Sequence, residues 1–141
     1  MAQGRPYQAY QNTHVKTSSQ KQLIVMLFDG MDRFMSRAGR AIEEDDFEVA
    51  HNNLQKTGKI LLELISTLRE DTGGEIASNL KKIYVYCYEQ IVMANLKKDA
   101  KMVGDIKEVL NNLREGWKAI SRGENALNAA GQTPKSIRIT G

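Results

Sequence analysis

Apolar residues recur along this chain in four segments of helical period, separated by short polar or glycine-containing breaks. The first follows Thr17-Ser18-Ser19-Gln20-Lys21-Gln22, where Ser19 and Gln22 have the spacing of a capping box and mark a helix start. Leu23, Met26, Leu27, Gly30, Phe34, Ala38 and Ala41 then fall at three- and four-residue intervals. At roughly 3.6 residues per turn this keeps one helix face apolar for about five turns and rules out a strand. Glu43-Glu44-Asp45-Asp46 ends the pattern, with Asp45 and Glu48 repeating the cap spacing and carboxylates suited to the positive end of a second helix. Phe47, Ala50, Leu54, Leu61, Leu64, Ile65 and Leu68 form its stripe.

Thr72-Gly73-Gly74-Glu75 supplies a turn, and Thr72 and Glu75 stand in capping-box register for a third helix over about 76–98. That helix carries Ile76, Leu80, Ile83, Tyr84, Cys87, Ile91 and Ala94 toward a core. Lys97 and Lys98 suit its negative end, and Asp99 can cap a fourth helix. There Val103, Ile106, Leu110, Leu113, Trp117 and Ile120 alternate by three and four, the seam of a bundle with helices crossing near +20°. Short links make neighbours antiparallel, so the expected fold is an all-α, up-down-up-down four-helix bundle. Its bounds are an N-terminal arm over 1–16, a bundle over 17–122 and a loose tail over 123–141.

The third helix has more apolar residues than one face requires. Val85, Tyr88, Val92 and Leu96 form a second stripe, about 130° around the helix from the first at roughly 100° per residue. Either the helix is central in the bundle or it exposes a second apolar surface, joined by Leu62 and Ile65 of the second helix, for a partner to cover.

Composition narrows the classes. With 141 residues, 41% of them hydrophobic, the chain closes one core. A net charge of +3 comes from 20 basic against 17 acidic residues, and Lys97, Lys98, Lys101 and Lys107 are broken up by Asp99, Asp105 and Glu108. That is no concentrated basic face, so nucleic acid is not the expected partner. Cys87 has no second cysteine to pair with and reads as a packed thiol. No apolar run approaches the ~18 residues of a membrane span, and residues 1–22 have no apolar core of a signal peptide, so the expected compartment is the cytoplasm.

Catalytic patterns fail on their own terms. Glu48 and His51 have the Glu-x-x-His spacing of a di-iron bundle, but the remaining histidine, His14, has Gln11 three residues before it and cannot complete the ligand set. The run Glu43–Asp46 reads as capping and solvation, and neither a metal nor a cofactor is expected. His51 followed by Lys56 and Gly58 loosely matches a histidine phosphotransfer domain, the alternative reading. Lys56 sits five residues on, about 140° round the helix from the imidazole it would serve. No Ser-His-Asp, Cys-His or phosphate-loop arrangement occurs, which leaves a non-enzymatic helical interaction protein.

Many residues together resemble the flagellar secretion chaperone FliS family. They are Tyr7, Tyr10, Val15-Lys16-Thr17-Ser18, Leu23 through Gly30, Ala38 and Ala41-Ile42. Further along come Lys56, Ile60, Glu63-Leu64, Leu68, Gly73 through Ala77, Asn79-Leu80, Tyr84, Ala94-Asn95, Leu113-Arg114 and Trp117. The match spans about the first 120 residues; the family usually has Tyr where Phe28 stands and Pro near Ser19 or Gln20. The resemblance implies the same bundle and a cytoplasmic chaperone that binds the C-terminal segment of flagellin before export. It also implies contacts with the export gate and regulatory proteins, which map to no residue here. Under it, Leu62, Ile65, Val85, Tyr88, Val92 and Leu96 are the expected flagellin-binding surface. Tyr7 and Tyr10 of the arm are expected to cover part of that surface until the client displaces them.

Overall fold

The computed structural model describes residues 20–123, the side chains of residues 70–72 excepted. Ser19 of the expected cap, Tyr7 and Tyr10 of the arm, and the tail beyond Gly123 lie outside the described residues. Within them the chain forms α1 (Gln20–Glu43), α2 (Phe47–Thr67), α3 (Glu70–Lys97) and α4 (Ala100–Ser121), with no strand. α1 packs on α2 and α4, and α3 packs on the same two helices. The four therefore form a square in chain order, the up-down-up-down bundle that the short links require. The α3–α4 seam is the least extensive of the four.

The link between α1 and α2 is capped one residue later than expected. Asp45 takes a left-handed conformation, φ 59°, and Asp46 instead accepts from the Val49 amide at 3.4 Å. Aspartate tolerates this region better than most residues, and it lets the Asp46 amide return to the Ala41 carbonyl at 2.7 Å and close α1. Between α2 and α3 the chain leaves the helix at Leu68 and Arg69, before the glycines, and a helical turn forms from Glu70. The glycines then act inside α3: Gly74, at φ 62° and ψ −140°, kinks the helix in a conformation that a side chain would strain. At the third link Lys98 caps α3 at φ 50°, and the Asp99 carboxylate accepts from the amides of Lys101 and Met102 at 3.0 and 3.2 Å, as expected.

The core differs from the expected stripes most in α1. Phe28, Met31 and Met35 are buried, whereas Met26 is exposed and Leu27 and Phe34 are half-buried. Two runs of three- and four-residue spacing share Ala38 in this helix, and spacing cannot choose between them. Packing against both α2 and α4 does, by burying a wide arc centred between these partners. Phe47, at the first position of α2, and Ile76, just past the kink, were expected inside and are exposed. Ala50, Leu54, Leu61 and Leu64 of α2, Ile83, Tyr84, Cys87, Ile91 and Ala94 of α3, and Val103, Ile106, Leu110 and Leu113 of α4 are buried as their periods predict.

Two interactions tie α4 to its neighbours α3 and α1. The Trp117 indole Nε1 donates to the Tyr84 hydroxyl at 3.2 Å, and Arg114 Nη1 donates to Asp29 Oδ1 at 3.1 Å. Burial pushes the Tyr84 hydroxyl well above its ordinary range, more than the Trp117 bond and the nearby Cys87 thiol alter it. Burial alone pushes the Cys87 thiol from 9.0 up to about 12. Both groups are acids whose folded-state pKa lies above the unfolded one, so folding favours their neutral forms. Their contribution is complete below about pH 9 and is lost as pH rises toward 12. Stability to urea is expected to fall by on the order of 1.4 kcal/mol per pH unit above that point, with the phenol adding to the thiol at higher pH. Denaturant midpoints from pH 7 to 11 would show this; a flat profile would mean the thiol ionises within the fold.

Candidate functional site

The second stripe of α3 does not disappear into the core. Tyr88, Val92 and Leu96 face α2 across an open groove with a volume of about 530 Å³. α2 contributes Leu54, Gly58 and Leu62, spaced four residues apart so that they lie along one line of the helix. Gly58 makes room for Tyr88 at the middle of the seam. It has no side chain to fill the space, and a Cβ there would stand 3.4 Å from Tyr88 Cε1, so the Tyr88 ring rests against the α2 backbone. Leu62 is 48% exposed, Val92 42% and Leu96 76%, an amount of apolar surface that a helix seam ordinarily hides.

Of the residues expected on this surface, Leu62, Tyr88, Val92 and Leu96 are brought together. Ile65 and Val85 are not among the groove's lining; both are half-buried, and Ile65 packs against the core.

One end of the groove is polar. Lys98 Nζ donates to both the main-chain oxygen and Oδ1 of Asn95, each at 2.8 Å, and Asn95 Nδ2 contacts His51 Nδ1 at 3.0 Å. With Oδ1 taken by an ammonium, the amide must offer its NH2 to the imidazole. Nδ1 then accepts, and the ring proton sits on Nε2. No period or spacing signals this chain of bonds. His51 stands 44 residues before Asn95, and Asn95 stood out only in the family resemblance. Gly58 could have been noticed as a gap between Leu54 and Leu62.

The phosphotransfer pairing of His51 with Lys56 is not made. Lys56 Nζ lies 5.4 Å over the ring of Phe34 on α1, while His51 faces Asn95 on α3. Among the described residues no group of three His, Cys, Asp or Glu side chains is placed to hold a metal ion, and no helix is long and apolar enough to cross a membrane.

Fold and site together define a class: an all-α bundle with an open apolar trough along one seam and a cationic end to it. The chain belongs to the FliS family of flagellar proteins, whose match covers residues 1–124. The flagellar secretion chaperone FliS of Bacillus subtilis is 35% identical over 124 residues, 88% of this chain and 92% of that protein. The proteins of the same name from Salmonella typhimurium and Campylobacter jejuni are 37% identical over 108 residues and 32% over 118. These alignments span 76% and 84% of this chain, and 80% and 92% of the relatives.

Proposed function

We propose that this protein is a cytoplasmic export chaperone that holds the C-terminal segment of flagellin in the α2–α3 groove, prevents its premature polymerisation and delivers it to the flagellar export apparatus. The observation that carries the reading is the open seam: Leu62, Val92 and Leu96 expose an apolar surface alongside a complete core. Such a surface suits helix-in-groove recognition, in which an amphipathic segment lays its apolar face between two helices. Flagellin's terminal segments are assembly helices with apolar faces, and a chaperone covering one of them removes the surface through which subunits polymerise. Membership of the FliS family, and relatives that are flagellar secretion chaperones, support a chaperone role in flagellar secretion.

The test is titration calorimetry of the purified chain with a recombinant C-terminal segment of flagellin from the organism that encodes it. Saturable binding is expected, with a large favourable enthalpy offset by unfavourable entropy as the segment orders. A segment that fails to bind, or binds equally well to the chaperone unfolded in urea, would remove the proposal.

A further inference from the structure

We propose that the His51–Asn95–Lys98 chain is a carboxylate anchor: it holds an acidic side chain of the client segment whose apolar residues fill the rest of the groove, and so sets the direction in which that segment runs. This inference rests on the proposed client and adds the chemistry that orients it.

The charge around the groove is one-sided. Lys98 occupies one end beside the His51 imidazole, and among the described residues no Asp or Glu lines the groove. Among the described residues the Lys98 ammonium meets just two acceptors, both amide oxygens of Asn95. A lysine has three donors, so one proton and the whole positive charge remain for a ligand. The group is also held in place before any ligand arrives, because its residue caps α3 and its Nζ is tied twice to Asn95. The same amide meets His51 Nδ1, and with that nitrogen accepting the donor of the ring is Nε2. Nearby carboxylates do not satisfy these donors. Asp99 turns Oδ1 to the first amides of α4, Glu48 is exposed on α2, and neither lines the groove.

Two features decide the source of the carboxylate. The trough is open along its rim, with Leu96 76% exposed, which suits a segment passing through better than a chain end seated in a closed pocket. The segments flanking the bundle offer little acid to the cationic end. Residues 1–19 contain Arg5 and Lys16 and no acid, and residues 124–141 set Glu124 against Lys135 and Arg138. An arm lying over the apolar part of the groove would leave the anchor for the client.

The experiment uses the full chain and the recombinant flagellin segment. Lys98→Gln is expected to weaken binding about 5-fold and Lys98→Glu about 10- to 30-fold, as for loss or reversal of a charge-assisted hydrogen bond. Wild-type affinity should fall as salt is raised, and the Lys98→Gln variant should show less of that dependence. In a scan of the client's acids to Lys, one substitution should restore binding to Lys98→Glu. Circular dichroism melts check that each variant is folded, and Lys98→Gln carries the test alone should Lys98→Glu fail to fold. The anchor is overturned if folded Lys98 variants bind as the wild type does, or if no client substitution rescues Lys98→Glu. An amidated client C-terminus that loses as much affinity as Lys98→Gln would overturn the side-chain assignment. Failure of the wild-type pair to bind at all would instead remove the client reading, and the anchor with it.

Discussion

Ending the chain before Leu110 is expected to abolish the cooperative thermal transition altogether. Leu110 and Leu113 are buried, and the deletion also removes Trp117, the donor to Tyr84, and Arg114, the partner of Asp29. A buried side chain of this size contributes on the order of 1.5 to 3 kcal/mol, and each lost hydrogen bond leaves a group behind that must find water. The sum rivals the whole net stability of a domain, about 5 to 15 kcal/mol. The effect would spread, because α1 packs on α4 as well as α2, so Phe28 and Met31, beside the Asp29–Arg114 pair, would lose part of their cover. Removing everything after Gly123 is the matched control and is expected to leave the helical signal and the melting midpoint nearly unchanged. Circular dichroism melts of the two truncations decide the matter; a cooperative transition surviving without Leu110 would show that α1, α2 and α3 fold with only the first half of α4.

Val92→Glu is expected to weaken binding of the flagellin segment by more than about 2 kcal/mol, roughly 30-fold, while costing the free bundle much less. The two halves of this expectation come from different surfaces. In the free protein Val92 is already 42% exposed, so a carboxylate there reaches water with little rearrangement. Under a docked apolar segment the same carboxylate would be desolvated without a partner, which is among the costliest changes at an interface. Ile91, one residue earlier and buried, gives the contrast: Ile91→Glu should unfold the bundle outright. Leu96→Glu should behave like Val92→Glu with still less effect on stability, since Leu96 is 76% exposed. Should Val92→Glu unfold the protein, that residue belongs to the core and the client surface lies elsewhere.

Much of the molecule was legible in the chain because period is a local property. The existence of four helices, the Asp99 cap and the buried faces of α2, α3 and α4 follow from spacing that any helix of about 3.6 residues per turn must respect. The surplus stripe on α3 was visible for the same reason, and Tyr88, Val92 and Leu96 do line the groove.

What spacing could not decide was settled by neighbours. α1 carries two overlapping apolar runs, and only its position between α2 and α4 selects Phe28, Met31 and Met35 over Met26. Whether the second stripe of α3 is core or surface depended on what stands opposite: Gly58 admits the Tyr88 ring against α2, while Leu62, Val92 and Leu96 stay exposed. Ile65 and Val85 looked equivalent to their stripe-mates and yet do not line the groove, because a helix face is defined against its partner and not by its own period alone. The bonds from Lys98 through Asn95 to His51 join residues 44 apart in the chain, on antiparallel helices whose register is a property of the packed bundle. Local order was thus written in the sequence, whereas the open seam and its cationic end exist only once α2 and α3 lie side by side.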